Sequence, residues 1–291
     1  MTQGVSTPAV VLKFGGELLE TPERIAALAA AIAKVSRRTR LVIVHGGGRV
    51  IDAALARAGI EKQQVDGLRI TDEPTLDVVV GVLAGLVNTR FVAALGAAGV
   101  AAVGLTGADA GIGRVKPAPP HVSTRGEAVD LGRVGEPVGR EKPALLIDLC
   151  RKGYLPVVSS VGAARDGRLY NVNADTFAAH LAGRLGSPRL IIAGATAGVL
   201  DGDGRTIGDM TVRELDALVA GGGATAGMIA KLAACRSALE NGAREVFVAD
   251  GRDIAGLAVL ARHGRTAGAA ASTKIRIGKQ ASNRKLNKRA S

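Results

Sequence analysis

The stretch VVLKFGG, residues 10–16, decides the fold of this chain. It is a short aliphatic run that ends in a lysine, a phenylalanine and two glycines. The stretch LVIVHGGG, residues 41–48, has the same arrangement. Both runs are apolar throughout instead of alternating with polar residues, which is typical of strands buried on both faces of a sheet. Such strands occur in parallel sheets that helices cover.

Further runs of this type alternate with helical patterns along the chain. They predict strands at 101–105, 155–159, 190–193 and 245–249. The helical patterns lie at 21–35, 50–58, 74–97, 143–152, 174–185, 212–219, 228–241 and 254–262. This alternation predicts an α/β fold, a three-layer αβα sandwich with a mainly parallel central sheet. The Gly- and Pro-rich segment 107–142 is expected to form hairpins that project from the sheet.

Composition excludes several classes of protein. The chain has 291 residues, of which 47% are hydrophobic and only 2% aromatic, so an aliphatic core is expected and general disorder is not. Its 40 glycines have no collagen period. Two cysteines, Cys150 and Cys235, are too few for a disulfide framework and favour a reducing, cytoplasmic location. No secretory signal is apparent, and polar residues interrupt the longest apolar stretch, 78–105, so no membrane span is expected.

The net charge of +12 is concentrated at the C-terminus. Seven of the 38 basic residues fall within residues 274–291, which contain no acidic residue. This segment is expected to be a disordered basic tail. The preceding chain is mildly basic, which suits an anionic substrate without requiring one.

The two glycine clusters are candidates for binding phosphate. Glycines after a strand let backbone N–H groups approach an anion, and the N-terminus of the next helix adds a favourable dipole. A tight turn explains one cluster, whereas two clusters on consecutive strands, the first with Lys13, favour phosphate. The P-loop pattern is absent, and Ile51 stands at the third glycine of the dinucleotide fingerprint. Neither a P-loop hydrolase nor a Rossmann dehydrogenase is therefore supported.

The stretch YNVNAD, residues 170–175, combines three polar residues at the start of an apolar helix. Asn173 alone can cap that helix, and Asp175 can interact with its dipole. Capping leaves Asn171 unexplained, whereas a small polar substrate beside a lysine or a metal would use all three side chains. The stretch thus indicates a binding site as well as a helix start.

Two basic residues are weaker candidates. Arg69, in the stretch GLRIT, is able to clamp a carboxylate through two hydrogen bonds, but an exposed surface arginine is the more ordinary interpretation. Lys231 lies one turn into a helix that follows GGG at 221–223. A cation there suggests an anionic partner, although lysines in first turns are common.

The sequence predicts no metal bound by protein ligands. The four histidines, at 45, 121, 180 and 263, do not have the spacing of metal ligands. Neither cysteine is near a histidine signature. Ser-His-Asp and paired-carboxylate arrangements are also absent from the pattern.

Seven motifs in order make the chain resemble the amino acid kinase family, and within it the members that phosphorylate N-acetyl-L-glutamate. The motifs are KFGG at 13–16, HGGG at 45–48, GLRIT at 67–71, VGLTG at 103–107, VGE at 134–136, YNVNAD at 170–175 and GMIAK at 227–231. Each motif alone is widely shared, and the ordered set, which spans residues 10–248, is specific. The resemblance implies an N-terminal lobe, 1–188, that binds an acyl amino acid and dimerises. It implies a C-terminal lobe, 189–278, that binds ATP, followed by the basic tail, 279–291.

The resemblance also implies roles for individual residues. Lys13 and Lys231 would stabilise the transferring phosphoryl group, and Asp175 would hold both lysines in place. The substrate-binding residues would be Gly47, Gly48, Arg69, Asn171 and Asn173. The nucleotide-binding residues would be Gly15, Gly16, Ala195, Thr196, Gly198, Val199, Leu200, Gly223, Thr225 and Met228. The implied reaction transfers phosphate from ATP, with Mg²⁺ held mainly through the phosphates, to the γ-carboxylate of N-acetyl-L-glutamate in arginine biosynthesis.

The chain departs from the family pattern at three places. Ala195 stands where members usually carry an aspartate in the nucleotide loop, and Ala226 replaces a usual glycine or aspartate. In addition, STKI at 272–275 only loosely resembles the closing strand of the family.

The expected assembly is a homodimer without arginine feedback. Arginine-inhibited relatives build a hexamer with an extra N-terminal helix, and about nine residues precede the first strand here. A rival function is a kinase for aminoadipate or glutamate bound to a carrier protein. Another is a non-catalytic paralogue whose tail binds nucleic acid, against which the scarcity of aromatic residues argues.

Overall fold

The computed structural model describes residues 8–223, 225–265 and 272–278, so the predicted tail at 279–291 lies outside the described residues. The strands are β1 (Val10–Phe14), β2 (Leu41–His45), β3 (Gln64–Val65), β4 (Leu68–Arg69), β5 (Ala102–Thr106), β6 (Val115–Pro117), β7 (His121–Val122), β8 (Ala128–Val129), β9 (Gly135–Pro137), β10 (Leu155–Ser159), β11 (Val161–Ala163), β12 (Leu169–Asn171), β13 (Leu190–Gly194), β14 (Asp209–Thr211), β15 (Val246–Asp250) and β16 (Ser272–Arg276).

The helices follow the predicted segments closely. They are α1 (Pro22–Ser36), α2 (Gly48–Arg57), α3 (Glu73–Val80), α4 (Asn88–Ala97), α5 (Ala144–Arg151), α6 (Ala174–Leu185), α7 (Val212–Ala220), α8 (Ala226–Glu240) and α9 (Ile254–His263). A π-helical segment, Gly81–Val87, joins α3 and α4 into one long helix. Side-chain capping starts several helices: Thr21 caps α1, Asp72 caps α3, and Thr211 forms a capping box with Glu214 at α7.

Eight of the described strands form one sheet in the order β14-β16-β15-β13-β1-β2-β10-β5. Neighbouring strands are parallel except for β15 and β16, which are antiparallel. Two hydrophobic clusters cover its faces. One includes Leu28 of α1, Phe91 of α4 and Leu260 of α9, and the other includes Phe177 of α6 and Leu232 of α8. The predicted α/β sandwich is confirmed, and all six predicted strands are present.

Among the described residues, four short antiparallel strand pairs lie outside the main sheet. The pairs β6–β9 and β7–β8 lie in the segment for which hairpins were predicted. The sequence patterns did not indicate β3–β4 or β11–β12, which have only two or three residues per strand. These two hairpins carry Arg69 and Asn171, so they matter for the site.

The long helix, Glu73–Ala97, has a mean hydropathy of 2.0 over its most apolar window. By length and composition alone it is long and apolar enough to cross a membrane, although only one helix of the described residues passes that test. Leu83, Phe91 and Leu95 on one face are fully buried in the core. The helix thus serves as a core element of the sandwich along that face.

Candidate functional site

The carboxyl ends of β1 and β2 open into a cavity of about 250 Å³. Parallel strands end at the same edge of the sheet, so loops that are distant in sequence meet there. The predicted residues that line the cavity are Lys13, Gly15, Gly16, Gly47, Gly48, Arg69, Asn171, Asn173 and Asp175. The structure therefore brings Lys13 and Asp175 together with all five candidate substrate-binding residues.

Asp175 lies between two lysines that are far apart in the sequence. Its Oδ1 is 2.9 Å from Nζ of Lys13, and its Oδ2 is 3.0 Å from Nζ of Lys231. All three side chains are largely buried, with exposed fractions of 9% for Lys13, 12% for Asp175 and 15% for Lys231. Burial alone would raise the pKa of Asp175, but the charges and hydrogen bonds of the two lysines lower this pKa to about 2. The cluster holds two cations and one anion at neutral pH.

Local structure explains why Asp175 occupies this place. Asn173 is the N-cap of α6, and its side-chain oxygen accepts hydrogen bonds from the backbone N–H groups of Asp175 and Thr176 at 2.9 and 3.2 Å. Asp175 is therefore in the first turn, where a carboxylate is favoured by the helix dipole. Asn173 therefore both caps α6 and lines the cavity. Asn171 has a separate contact, because its Nδ2 donates to Oγ1 of Thr71 at 3.3 Å.

Arg69 reaches the cavity from the β3–β4 hairpin. Its Nη2 pairs with Oδ1 of Asp52 and lies 3.4 Å from the carbonyl oxygen of Gly48. Lys62 binds the other oxygen of Asp52 at 2.9 Å. Burial would raise the pKa of Asp52, and the two cations lower it below its usual range. The Nη1 atom of Arg69 is buried and has no hydrogen-bond partner among the described residues, so it is an open donor for an anion.

The two glycine loops touch each other beneath the cavity. A Cβ on Gly16 would lie 2.7 Å from Cα of Gly47 and 2.8 Å from the backbone nitrogen of Gly48. A Cβ on Gly47 would lie 2.9 Å from Cδ2 of Leu83. Glycine is required here because backbone approaches backbone, which leaves the N–H groups of both loops close to the cavity.

The predicted nucleotide residues lie farther along the same edge of the sheet. Ala195 lines a second cavity of about 450 Å³. Gly198 has a φ of 110°, which favours glycine, and the backbone N–H of Val199 donates to Oγ1 of Thr273 at 2.7 Å. Thr225 caps α8 through the backbone N–H of Met228 at 3.4 Å. Thr196 and Leu200 are exposed at this edge, and Gly223 lies three residues before the first residue of α8.

Sequence reasoning missed Glu17, which lines both cavities. Its carboxylate lies against Gly15, and its Oε1 is 3.3 Å from the position that a Cβ on Gly194 would occupy. The carboxylate has no hydrogen bond or ion pair among the described residues, whereas the backbone carbonyl of Glu17 accepts from Arg24 at 3.1 Å. Thr273 was missed as well, because its strand was not predicted. The position of Glu17 directly after the first glycine pair was the available signal.

Chemically, the cavity can hold an anion with two charged ends. Lys13 and the glycine N–H groups, with Lys231 beside Asp175, favour a phosphoryl group at one end, and the open nitrogen of Arg69 favours a carboxylate at the other. Among the described residues, no group of three or more His, Cys, Asp or Glu side chains is arranged to bind a metal ion. A metal there would be held mainly by a ligand's own phosphates.

Comparison with known proteins places these features in a family. The model of the amino acid kinase family matches residues 8–250. An acetylglutamate kinase of Dinoroseobacter shibae is 38% identical over 244 residues, which cover 84% of this chain and 82% of that protein. A second acetylglutamate kinase, from Brucella canis, is 39% identical over 248 residues, with 84% and 83% coverage.

Solved structures show the same fold at lower identity. Giardia carbamate kinase has a TM-score of 0.64 and 14% identity, with 93% of this chain and 99% of that chain covered. An N-acetylglutamate synthase from Neisseria gonorrhoeae, solved with coenzyme A and N-acetyl-glutamate, has a TM-score of 0.78 and 24% identity. That alignment covers 94% of this chain and 60% of the synthase.

Proposed function

The chain belongs to the amino acid kinase family, and we propose that it phosphorylates the γ-carboxylate of N-acetyl-L-glutamate with ATP. The product would be N-acetylglutamyl 5-phosphate, formed in the second step of arginine biosynthesis. The identity of 38–39% with acetylglutamate kinases over 84% of the chain supports this activity. The observation that carries it is the Lys13–Asp175–Lys231 cluster beside the open nitrogen of Arg69.

The proposed reaction needs positioning and charge stabilisation more than covalent participation by the protein. A γ-carboxylate oxygen attacks the γ-phosphorus of ATP, and the bond from that phosphorus to the β–γ bridging oxygen breaks to release ADP. The attacking group is already ionised at neutral pH, since an unperturbed Glu side chain has a pKa of about 4.3. No general base is required. Lys13 and Lys231 stabilise the negative charge of the transferring group, while Asp175 keeps both ammonium groups in place.

The acceptor would lie against the N-terminal lobe. In the proposed arrangement, Nη1 of Arg69 binds the α-carboxylate, Asn171 and Asn173 contact the acetamido group, and the N–H groups of Gly47 and Gly48 face the acceptor. Because Asp52 already holds Nη2 of Arg69, the guanidinium is oriented before the acceptor binds. This preorganisation reduces the entropy that binding must supply.

ATP would lie along residues 195–200 and 223–225, with its phosphates near Gly15 and Gly16. Mg²⁺, when bound with ATP, would neutralise part of the phosphate charge. The donors present are compatible with that ion, since Glu17 offers a carboxylate without a partner near the phosphate position. The rival functions, a kinase for a carrier-bound acceptor and a non-catalytic paralogue, are not favoured by the acetylglutamate kinase relatives.

The test is phosphoryl transfer from Mg-ATP to a panel of acceptors, with the acyl phosphate trapped by hydroxylamine. We expect product with N-acetyl-L-glutamate and much less with N-acetylaminoadipate or free glutamate. Selective product with a carrier-bound acceptor would replace the proposal by its rival. Absence of product with every acceptor, for folded protein and with GTP also tried, would overturn the kinase activity.

The proposed assembly is a homodimer. Strand β5 is an edge of the sheet and offers unpaired backbone groups, and small residues such as Gly81, Gly85 and Gly96 are exposed along the neighbouring long helix. Such a surface suits close packing of a second copy. Gel filtration with light scattering should give a mass of two chains, and a hexamer would contradict the proposal.

A further inference from the structure

His45 is buried directly before the glycine loop 46–48, with no exposed surface. Its Nδ1 lies 3.1 Å from the carbonyl oxygen of Gly46, and its Nε2 lies 3.1 Å from Nδ2 of Asn88. A carbonyl oxygen only accepts hydrogen bonds, and an amide nitrogen only donates them. The ring must therefore carry its proton on Nδ1 and accept at Nε2.

The orientation of Asn88 is fixed by further contacts. Its Nδ2 also lies 3.0 Å from the carbonyl oxygen of Val157 and 3.4 Å from that of Leu105. Both partners are acceptors, so the amide nitrogen, and not the amide oxygen, faces His45. The amide oxygen points at Gly104, where any Cβ would collide with it. Asn88 is thus held under β5 and β10 in one arrangement.

The long helix delivers Asn88 to this place through its π-helical segment, Gly81–Val87, which ends directly before Asn88. A π turn contains one residue more than an α turn, and each residue of an α-helix rotates the next by about 100°. Without the π turn, Asn88 would point away from His45. The same segment carries Leu83, which limits the space at Gly47.

We infer that Asn88 is a positioning residue for the acceptor site: it selects the Nδ1-protonated form of His45, which holds the Gly46 carbonyl and thereby sets the backbone of the Gly46–Gly48 loop. Without Asn88 no amide donor faces Nε2, so the form protonated on Nε2 is no longer excluded, and in that form Nδ1 would face the Gly46 carbonyl as one acceptor facing another. That repulsion would displace the loop. That the ligand is an acyl amino acid rests on the proposed function, whereas the tautomer of His45 is inferred from its hydrogen-bond partners alone.

Burial agrees with this arrangement. Desolvation lowers the pKa of His45 to about 4, although the Gly46 carbonyl would raise it. The ring is therefore neutral at pH 7. A neutral ring has two tautomers, and the hydrogen bond from Asn88 stabilises one of them.

The kinetic test compares Asn88→Ala with Leu95→Ala, a fully buried residue that lies seven positions after Asn88 in the same helix. Loss of a hydrogen-bonded arrangement should raise the KM for N-acetyl-L-glutamate about tenfold in Asn88→Ala and leave the KM for ATP within about twofold. Leu95→Ala should lower stability without changing either KM. Asn88→Ser, which has a hydroxyl as a hydrogen-bond donor in place of the amide, should restore part of the affinity for N-acetyl-L-glutamate. Equal changes in both KM values, or the same changes in Leu95→Ala, would reduce Asn88 to a structural residue and overturn the inference.

The tautomer is measured independently of activity by ¹⁵N NMR of the imidazole nitrogens. The chain has four histidines, and a His45→Gln variant assigns the signals of His45. We expect a protonated Nδ1 in the wild-type protein and a shift of the proton towards Nε2 in Asn88→Ala, together with changed amide signals of Gly46–Gly48. If the protein transfers no phosphate but these shifts occur, the proposed function fails and the link between Asn88 and the loop stands. A wild-type ring protonated on Nε2, or a tautomer unchanged in Asn88→Ala, would overturn the inference.

Discussion

The Lys13–Asp175–Lys231 cluster has one cation more than it needs for charge balance, and that excess is available to a phosphoryl group. Lys13→Ala or Lys231→Ala should lower turnover by at least about 10²-fold, because each removes a preorganised charge from the transition state. The fold should survive, since Asp175 keeps one cationic partner in either variant. Steady-state kinetics and circular dichroism measure the two effects. The exposed Lys152 offers a matched control, and a Lys13→Ala or Lys231→Ala enzyme as fast as Lys152→Ala would refute the assigned roles.

Ala195 and Glu17 lie close together, so the charge at position 195 should affect the binding of Mg-ATP. Both line the 450 Å³ cavity, and the carboxylate of Glu17 approaches Gly194, the neighbour of Ala195. Ala195→Asp, which supplies the usual family residue, would place a second carboxylate beside Glu17 and the proposed phosphate path. We expect a higher KM for Mg-ATP in Ala195→Asp, because two carboxylates in one partly buried cavity repel each other and the phosphates.

Glu17→Gln in the Ala195→Asp background should restore much of the nucleotide affinity. A cycle of wild type, both single variants and the double variant isolates the coupling between the two positions. Additive effects on the KM for Mg-ATP would show that Glu17 does not replace the family carboxylate in this loop.

At the scale of elements, strand β16 supports the nucleotide loop through Thr273. This side chain is fully buried, and its Oγ1 accepts the hydrogen bond of the Val199 backbone at 2.7 Å. Thr273→Val would leave that N–H buried without a partner, which costs about 1–3 kcal/mol. We expect a lower free energy of unfolding and a higher KM for ATP, with the KM for the acceptor unchanged. Thr273→Ser keeps the hydroxyl and should behave as wild type; if it loses as much as Thr273→Val, the hydrogen bond is not the cause.

Strand β16 also shows where prediction from the sequence ends. Five of the six predicted strands are almost entirely buried, and β5, at the sheet edge, is only partly buried but was predicted from an apolar run as well, so a sequence pattern detects all six. Strand β16 reads STKIR, with Thr273 and Ile275 buried and Lys274 only partly buried, and β14 has three residues at the sheet edge. Short strands with polar buried residues have no apolar run, and their place depends on tertiary pairing, of β16 with β15 and of β14 with β16.

The candidate site was predictable for a different reason. Glycine clusters follow two strands of a parallel sheet, and such strands end at one edge, so a binding site was expected there, whereas the contact between Lys13 and Asp175 was implied by a family resemblance. The ion pair from Asp175 to Lys231, which follows it by 56 residues, came from a family resemblance. Asn88 could not be assigned, because an asparagine in an apolar helix predicts an exposed face. The π turn that directs it inwards has no sequence signal.

At the scale of the whole molecule, two buried histidines make stability depend on pH. Burial lowers the pKa of His45 to about 4, and burial together with the charge of Arg184, which donates to Nε2 of His180 at 3.3 Å, lowers the pKa of His180 to about 4 as well. A histidine in the unfolded chain has a pKa of about 6.5. Between about pH 6.5 and about pH 4, the unfolded state therefore binds more protons than the folded state. Stability should therefore fall as pH falls from about 6.5 to about 4, and be constant with respect to these groups above about 7.

His45 contributes about 3 kcal/mol to this loss, and His180, which is less buried, contributes less. Denaturant melts across this pH range should show the decline in the wild-type protein and a shallower decline in His180→Gln. His263→Gln, at an exposed position, should leave the slope unchanged and serves as the control. Asp175 loses its contribution to stability as pH falls from its unfolded pKa of about 3.8 towards its folded pKa of about 2, so the catalytic cluster acts mainly below the range of the two histidines. A stability that is flat between about pH 6.5 and about pH 4 would mean that His45 is solvated or charged in the folded state, contrary to its buried position.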